Sequence, residues 1–548
     1  MGMSRVEELR AQALAWLADD PDDGDAAELR KVVDALPDSA TDLADRFAGR
    51  LAFGTAGLRG PLRAGPNGMN RAVVRAAAAG LVTWLASRDA PGPVVIGYDA
   101  RYRSREFAEE TARVVTGTGR PALLLPGPLP TPVLAFAVRR LSAVAGVMVT
   151  ASHNPPQDNG YKVYLGAALG GEIGAGAQIV PPVDAEIEAA IRAVGPLSAV
   201  PLGPPGTLLG TEVARSYVDS VAGVVEQDTP RELSVAYTPL HGVGGALFRA
   251  ALVAAGFPAS STVDSQAAPD PDFPTVPFPN PEEPGAMDAV IALADTVRAD
   301  LAIANDPDAD RCAVAVPTPG GWRMLHGDEV GVLIADHLMR RGVPGRYATT
   351  IVSSSLLGAL CARRGRPYGE TLTGFKWIVR AGADLAYGYE EALGYCAAPQ
   401  LVRDKDGISA ALLICELAAG LRAELRTLTD RLDEIAAEFG VYATDQLAIR
   451  VEDLREIAGM MAHLRSHPPT TLLDERVTGV EDLLPAADVV TLRTESARVV
   501  VRPSGTEPKL KAYLEVVEPA TDDLAGARER AAACLVALRT EMATALGM

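Results

Sequence analysis

Apolar and polar positions along the chain switch between a period near 3.6 and short unbroken apolar runs, and the switching sets out the fold. Residues 1–50 place apolar side chains at helical spacing (Val6, Leu9, Ala13, Leu17) with acids between, and acid-rich turns at Asp19–Asp25. That pattern predicts amphipathic helices. An alanine-rich helix is expected at 71–87, then a strand at Val94–Tyr98, a helix at 105–118 and a strand at Pro121–Leu125. The small apolar run from Ala143 to Val149 reads as a further buried strand. Strands alternating with helices imply βα units in a doubly wound sheet. A proline- and glycine-rich stretch, 195–210, reads as a linker.

A second unit begins near Glu212, with a strand at 233–238, a helix after His241-Gly242-Val243-Gly244-Gly245, a proline-rich extended loop at 269–284 and a strand at Leu301–Ala304. A third α/β unit runs from about Leu325 to Gly440. The remainder, with strands at 445–451 and 511–516 and a closing helix at 520–546, is expected to form a smaller α+β domain. The domains predicted are therefore 1–210, 211–324, 325–440 and 441–548.

Composition narrows the chemistry. A chain of 548 residues exceeds what one hydrophobic core organises. Apolar content of 48% and charged content of 22% are those of a soluble globular protein, and no apolar run approaches the roughly 18–20 residues that span a bilayer. Five scattered cysteines without CxxC spacing, and an N-terminus without a signal peptide's basic start and apolar centre, predict reduced thiols and a cytoplasmic setting. A net charge of −19 argues against nucleic acid or an anionic membrane as partner. An anionic substrate then needs locally concentrated positive charge. Only six of the 51 basic residues are lysine (Lys31, Lys162, Lys376, Lys405, Lys509, Lys511), and all but Lys31 fall in or directly beside motifs singled out on other grounds.

Those motifs begin with Thr150-Ala151-Ser152-His153-Asn154-Pro155-Pro156, at the end of a buried strand, where the prolines force a turn. Open α/β sheets place ligand sites at such strand ends, and a serine there with Lys162 downstream suggests a nucleophile in a basic setting. Phe53–Gly60 adds three glycines and Arg59, able to grip an anion. Asn305-Asp306-Pro307-Asp308-Ala309-Asp310-Arg311 follows a strand with three alternating carboxylates, a hard-oxygen cage suited to magnesium. An EF-hand would need Gly and Glu where Arg311 and Pro317 stand, and a haloacid-dehalogenase-type nucleophile motif would not carry Asp310 at its fifth position. The Gly-Val-Gly-Gly turn lacks dinucleotide-site spacing.

Tyr389-Glu390-Glu391-Ala392-Leu393-Gly394-Tyr395 is either a sugar-reading acidic pair or a helix N-terminus, with Thr371–Trp377 upstream and Arg403-Asp404-Lys405-Asp406-Gly407 downstream. Arg502-Pro503-Ser504-Gly505-Thr506-Glu507-Pro508-Lys509 gathers the donors a phosphate requires.

Taken together, Thr-Ala-Ser-His-Asn-Pro, Asp-Pro-Asp-Ala-Asp-Arg, Gly-Tyr-Glu-Glu-Ala-Leu-Gly and Arg-Pro-Ser-Gly-Thr-Glu-Pro-Lys, in that order, resemble the four signature loops of the α-D-phosphohexomutases. Phe53–Gly60, Gln157–Tyr164, the 273–283 loop and Glu390-Glu391-Ala392 are most similar to the phosphoglucomutase-2 and phosphopentomutase branch, which also contains a glucose-1,6-bisphosphate synthase.

The resemblance implies an α/β chain of four domains around a central cleft: three mixed-sheet α/β domains and a C-terminal α+β domain. It implies that Ser152 carries a phosphoryl group, one of whose oxygens joins Asp306, Asp308 and Asp310 in binding one Mg²⁺ per chain. Arg311 would neutralise charge on the transferred group. Arg59, Lys162 and His153 would surround the acceptor oxygen as candidates for moving its proton, with His153 not required as the serine's base. Thr55, Arg59, Thr373, Glu390, Ala392 and Lys405 would contact the sugar phosphate; Arg502, Ser504, Gly505, Thr506 and Lys509 would hold its non-reacting phosphate. Ala392 stands where many phosphoglucomutases have a serine, which loosens the expected selectivity for glucose over mannose.

The implied activity interconverts hexose 1-phosphate and hexose 6-phosphate through a bisphosphorylated sugar, with a glucose 1,6-bisphosphate-type activator charging Ser152. A small phosphosugar is the implied partner, for a monomer or homodimer. Phosphopentomutase, bisphosphate synthase and a non-catalytic phosphosugar-binding protein are the competing implications.

Overall fold

In a computed structural model, residues 3–54, 57–451, 453–504, 509–519 and 523–547 are described. The chain forms two compact units, Met1–Leu325 with Ala392–Gly420, and His326–Glu391 with Leu421–Met548.

The first unit opens with three helices, Met3–Leu17, Asp23–Asp34 and Ala40–Arg46, whose apolar faces meet around Leu9, Leu29, Val33 and Leu43. Its larger sheet runs Leu58–Pro61, Asp158–Leu165, Ala145–Val149, Val94–Tyr98, Ala122–Leu124 and Thr207–Leu208 in spatial order, with Ala177–Gln178 pairing beside Asp158–Leu165. Val94–Tyr98 and Ala145–Val149 are buried along their whole length. Helices cover both faces of such parallel strands, which is why they read as unbroken apolar runs rather than alternations. The helix Arg71–Ser87 starts where Asn70 accepts a hydrogen bond from the Val73 amide at 2.9 Å, an N-cap that supplies one missing acceptor of the first turn.

The stretch 195–210 is no free linker. Thr207–Leu208 joins the sheet in parallel beside Leu123 and Leu124, and the Gly203 amide donates to Arg113 O. Proline and glycine keep an α-helix out of the stretch, which holds one 3₁₀ turn at Leu197–Ala199, but they do not exclude an edge strand. The second sheet of this unit is mixed, ordered Gly321–Met324, Ala313–Thr318, Leu301–Ala304, Val235–Thr238 and Ser261–Thr262.

In the second unit, Arg346–Thr350 lies between Tyr368–Thr371 and Leu385–Glu390, all parallel, packed by helices that include Gly327–Arg340 and Leu356–Arg364. A separate five-stranded antiparallel sheet runs Val441–Arg450, Lys509–Glu518, Ala497–Pro503, Val490–Arg493 and Gly479–Asp482. It is backed by Leu454–Ser466 and Leu524–Ala545 around Leu464, Val499, Leu514 and Leu538. The α/β class with a C-terminal α+β element is thus as expected.

The five cysteines are unpaired, and no helix among the described residues is long and apolar enough to cross a membrane.

Candidate active site

The strand Ala145–Val149 delivers the chain to Thr150, whose hydroxyl donates to Asp99 Oδ2 at 2.6 Å and accepts the Ser152 amide at 2.9 Å. Ser152 has a φ of 54°, a left-handed conformation that costs a non-glycine residue about 1–2 kcal/mol and persists only under outside restraint. Its hydroxyl is buried, donates to Asp306 Oδ2 at 2.9 Å and lies 3.1 Å from His153 Nδ1. The serine therefore touches both its neighbouring imidazole and a carboxylate 154 residues away.

That carboxylate belongs to the loop after the fully buried strand Leu301–Ala304. Asn305 ties the loop together by donating to Arg311 O at 2.6 Å and accepting from Tyr237 OH at 2.9 Å. Ala309, at a φ of 54°, turns the chain so that its amide meets Asp306 O. The turn at Gly242 supports the loop from beneath: a Cβ there would stand 2.3 Å from Pro307 Cα, and the Val243 amide donates to Pro307 O. The glycine-rich turn rejected as a dinucleotide site thus serves the acidic loop by letting backbone approach backbone.

Asp308 Oδ2 accepts from Lys162 Nζ at 2.8 Å and from Thr131 Oγ1 at 2.6 Å; Asp310 Oδ2 lies 3.2 Å from Lys162 Nζ and 3.3 Å from Lys405 Nζ. Oδ1 of Asp308 and Oδ1 of Asp310 are buried without a hydrogen-bond partner. One oxygen from each of Asp306, Asp308 and Asp310 falls within a 4.8 Å cluster. Buried carboxylate oxygens left without donors are costly, and an all-oxygen donor set selects hard divalent cations, so the cluster fits Mg²⁺.

The electrostatics divide the three acids. Burial, reinforced by Asp308 and Asp310, pushes the Asp306 carboxyl well above its ordinary range. For Asp308 and Asp310 burial also pushes upward, but the ammonium groups win and hold both below the usual carboxylate range: Lys162 for Asp308, Lys405 and Lys162 for Asp310. Burial works against the Lys162 ammonium, yet Asp308 and Asp310 raise its pKa above the ordinary value. Burial, then Arg311 and Arg59, push the half-buried His153 well below the ordinary imidazole range.

Arg59 lies on Leu58–Pro61, opposite Gly160, so the sheet register carries it to the serine turn, where it donates to Asn154 Oδ1 at 3.2 Å. Its Nε is buried without a partner. Arg311 pairs with Glu282 of the proline-rich loop at 3.2 Å. Lys405 reaches Asp310 because its flanking acids anchor the segment: Asp404 Oδ2 accepts from Tyr164 OH at 2.8 Å and from Gln178 at 3.0 Å, and Asp406 Oδ1 accepts from Tyr217 OH at 2.7 Å. Gly407 permits the approach, since a Cβ there would lie 2.2 Å from Arg311 O. Ala392 is half-buried in the same unit, next to Leu393, whose carbonyl accepts the Cys312 amide.

In the second unit Glu390 ends the strand Leu385–Glu390, so the helix-start alternative falls away. Glu391 Oε2 accepts from Ser353 Oγ at 2.9 Å. Glu391, Glu390 and Arg502 all act on the ring hydroxyl of Tyr513, whose pKa burial raises. Ser504 donates its amide to Lys509 O at 2.8 Å, and Thr373, Ser504 and Lys509 are half-buried. Thr55, Gly505 and Thr506 lie outside the described residues.

Sequence reasoning brought Ser152, His153, Arg59, Lys162, Lys405 and the three aspartates to attention, and the fold draws them together. It passed over Thr131, Asp99 and Arg101. Asp99-Ala100-Arg101 stands directly after a predicted strand, the same signal that drew attention to the other loops.

The chain matches the family models for phosphoglucomutase/phosphomannomutase α/β/α domains I, II and III over residues 50–196, 215–321 and 326–439, and the C-terminal domain of the same family over 447–531. A Haemophilus influenzae protein named "Probable phosphomannomutase" is 44% identical over 457 residues, covering 82% of this chain and 93% of that protein. A human phosphopentomutase is 32% identical over 580 residues, covering 94% and 92%. The crystal structure of a phosphoglucomutase/phosphomannomutase family protein from Burkholderia thailandensis shares the fold at a TM-score of 0.68 and 20% identity, covering 91% of this chain and 97% of that one. The chain belongs to the phosphoglucomutase/phosphomannomutase family and is a phosphosugar mutase, an isomerase that moves a phosphoryl group within its substrate.

Proposed function

We propose that the enzyme interconverts hexose 1-phosphate and hexose 6-phosphate, with glucose the main substrate and mannose accepted, by passing a phosphoryl group through Ser152. The observation that carries this reading is the Ser152 hydroxyl held 2.9 Å from Asp306 inside a cluster of three aspartates and two lysines. A serine so placed can hold a phosphate against a cation site.

In this reading Asp306, Asp308 and Asp310 would hold Mg²⁺ together with the Ser152 phosphate. The chemistry a bound Mg²⁺ supplies there is stabilisation of charge on the phosphoryl group in transfer. Arg311 and Arg59 add fixed positive charge on the same group. The Lys162 ammonium, kept charged by Asp308 and Asp310, keeps one N–H for the sugar oxygen that gives or receives the group. His153, Lys162 and Arg59 are the candidates to move that oxygen's proton. Glu390, Thr373 and Lys405 read sugar hydroxyls. Arg502, Ser504 and Lys509, with Gly505 and Thr506, grip the phosphate that stays in place. The bisphosphorylated sugar reorients and returns its other phosphate to Ser152, and a sugar bisphosphate primes the enzyme.

Acceptance of mannose rests on Ala392, which offers no side-chain donor or acceptor to distinguish hydroxyl configurations, and on the name of the Haemophilus relative. A second reading, a pentose phosphate as main substrate, is favoured by the human phosphopentomutase, which aligns with 94% of the chain against 82% for the Haemophilus protein. Comparing kcat/KM on the 1-phosphates of glucose, mannose, ribose and deoxyribose decides among them. Incubation with glucose 1,6-bisphosphate should add one phosphoryl group to the peptide bearing Ser152, seen by mass spectrometry. Turnover in a protein never phosphorylated there would end the serine-carrier reading.

A further inference from the structure

We propose that Arg101 is the positioning residue that shapes the Ser152 turn, and that it does so as a donor to backbone carbonyls rather than as an anion-binding cation. The inference rests on the reading of Ser152 as phosphoryl carrier. Arg101 Nη2 donates to Ser152 O at 2.6 Å and to Asn154 O at 2.5 Å. Nη1 donates to Pro155 O at 2.7 Å and to Asp158 O at 3.1 Å. All four Nη hydrogens are therefore spent on one turn of backbone, and the side chain is only 1% exposed. None remains for a substrate phosphate.

The surroundings keep the guanidinium in place without taking any of its Nη hydrogens. Asp99 Oδ2 forms a buried ion pair with Nε at 3.4 Å, but Nε makes no hydrogen bond. The Asp99 carboxylate is instead occupied by Thr150 Oγ1 and Ser104 Oγ, each at 2.6 Å, and by the Arg101 amide at 3.0 Å. The Phe273 ring lies 4.9 Å from Arg101 Cζ and closes the far side.

Ser152 is thus held at both ends: Thr150 fixes its N–H and Arg101 its C=O. With both flanking peptide planes fixed, the unfavourable φ of 54° is sustained and Oγ stays aimed at Asp306. Lysine cannot substitute, because three donors on one nitrogen do not match four acceptors spread along a planar fork.

The test uses Arg101→Lys and Arg101→Ala in the full-length enzyme with glucose 1-phosphate, priming by glucose 1,6-bisphosphate, and a circular-dichroism melt. Misplacing the nucleophile should lower kcat by about 10²-fold and slow single-turnover phosphorylation of Ser152 equally, while KM stays within about threefold. Added guanidinium ion should restore part of the Arg101→Ala rate, a rescue that a purely structural role would not show.

A raised KM with kcat retained would instead make Arg101 a substrate-phosphate ligand and overturn the proposal. Folded Arg101→Lys protein phosphorylated at the wild-type rate would also overturn it, leaving the serine-carrier reading intact. Wild-type enzyme that takes no phosphoryl group on Ser152 would remove both. Should the arginine variants fail to fold, Phe273→Leu loosens the guanidinium without removing it; a kcat about 3–10-fold lower at unchanged KM is expected, and an unchanged kcat overturns the proposal.

Discussion

Two buried arginines, one in each unit, do related work with different chemistry. Arg101 spends four N–H groups on the carbonyls of the Ser152 turn and faces one carboxylate, Asp99, 3.4 Å from its Nε. Arg498, on the strand Ala497–Pro503, pairs with Glu515 at 3.0 Å, lies 3.5 Å from Glu370, and donates to the carbonyls of Ile351 and Ser353. Glu515 completes the clamp by accepting the Ser355 amide at 2.8 Å. One end of the clamped loop carries Ser353, whose hydroxyl holds Glu391, next to Glu390, which the proposed function assigns to the sugar. Arg498 thereby fastens the antiparallel sheet to the parallel one inside the second unit. A clamp whose donors are shared between two carboxylates and two carbonyls holds a loop in place, whereas a fork that spends all four Nη hydrogens on carbonyls dictates the conformation of a single turn. Under the proposed function a serine that carries the phosphoryl group needs the second kind of control, since its geometry must survive bond making, and a loop that reads the sugar needs only the first.

The largest effects should fall on the nucleophile side. Ser152→Ala removes the carrier oxygen and should lower mutase turnover by at least about 10⁴-fold, with no phosphoryl incorporation from glucose 1,6-bisphosphate. Asp310→Asn should lose about 10²–10³-fold in kcat, because it removes one of three hard ligands and leaves Lys405 and Lys162 undercompensated. Chelator-treated wild type should recover its rate on addition of Mg²⁺, and Asp310→Asn should recover far less at the same concentration. Full recovery in the variant would remove the aspartate cluster from the chemistry.

How well the sequence reveals each region follows from the range of its interactions. Val94–Tyr98 and Leu301–Ala304 are legible because burial on both faces leaves continuous apolar runs. The serine turn and acidic loop are legible because their chemistry is compressed into a few consecutive residues. Thr131 is not: it meets Asp308 across 177 residues, and a lone threonine after a proline carries no local sign of that partner. Arg101 escaped notice because arginines near catalytic loops invite an anion-binding reading, while its acceptors are main-chain carbonyls that no residue type announces. The stretch 195–210 misled for the opposite reason, since its composition is that of a tether while its backbone still pairs with the sheet.

The middle prediction separates the two arginines. Arg498→Lys should raise KM for hexose 1-phosphate by about 5–20-fold through a loosened 351–355 loop, with priming of Ser152 unchanged. Glu391→Gln should do the same more mildly, because Ser353 keeps an acceptor. The Arg101 variants are expected to show the reverse pattern, kcat without KM. Should Arg498→Lys lower priming of Ser152 as strongly as Arg101→Lys does, the division between the two clamps would collapse.

The smallest effect is on stability and concerns Asp328, beside the same clamp. Its Oδ1 accepts the Ser354 amide at 2.7 Å and Tyr389 OH at 3.2 Å. Burial, with Glu391 and Glu515 nearby, pushes its carboxyl from 3.8 up to about 7. Between those two values the folded protein keeps a proton that the unfolded chain has shed, so stability falls as pH rises through this window and levels off above about 7. The full shift corresponds to about 4 kcal/mol at most, and relaxation around the charge brings the expected effect nearer about 2 kcal/mol. Asp328→Asn retains the acceptor for both hydrogen bonds and cannot ionise. The variant should therefore exceed wild type in hydrogen-exchange protection of the helix Gly327–Arg340 by a margin that grows from pH 5 to pH 8, each pair compared at one pH. A constant difference across that range would mean that Asp328 ionises in the folded state as an ordinary carboxyl does. On the nucleophile side two of the three aspartates carry the opposite sign: Asp308 and Asp310, held below the usual range by the ammonium groups around them, stabilise the fold above that range and lose their contribution only as the solution turns acid, while Asp306, pushed upward, shares the sign of Asp328.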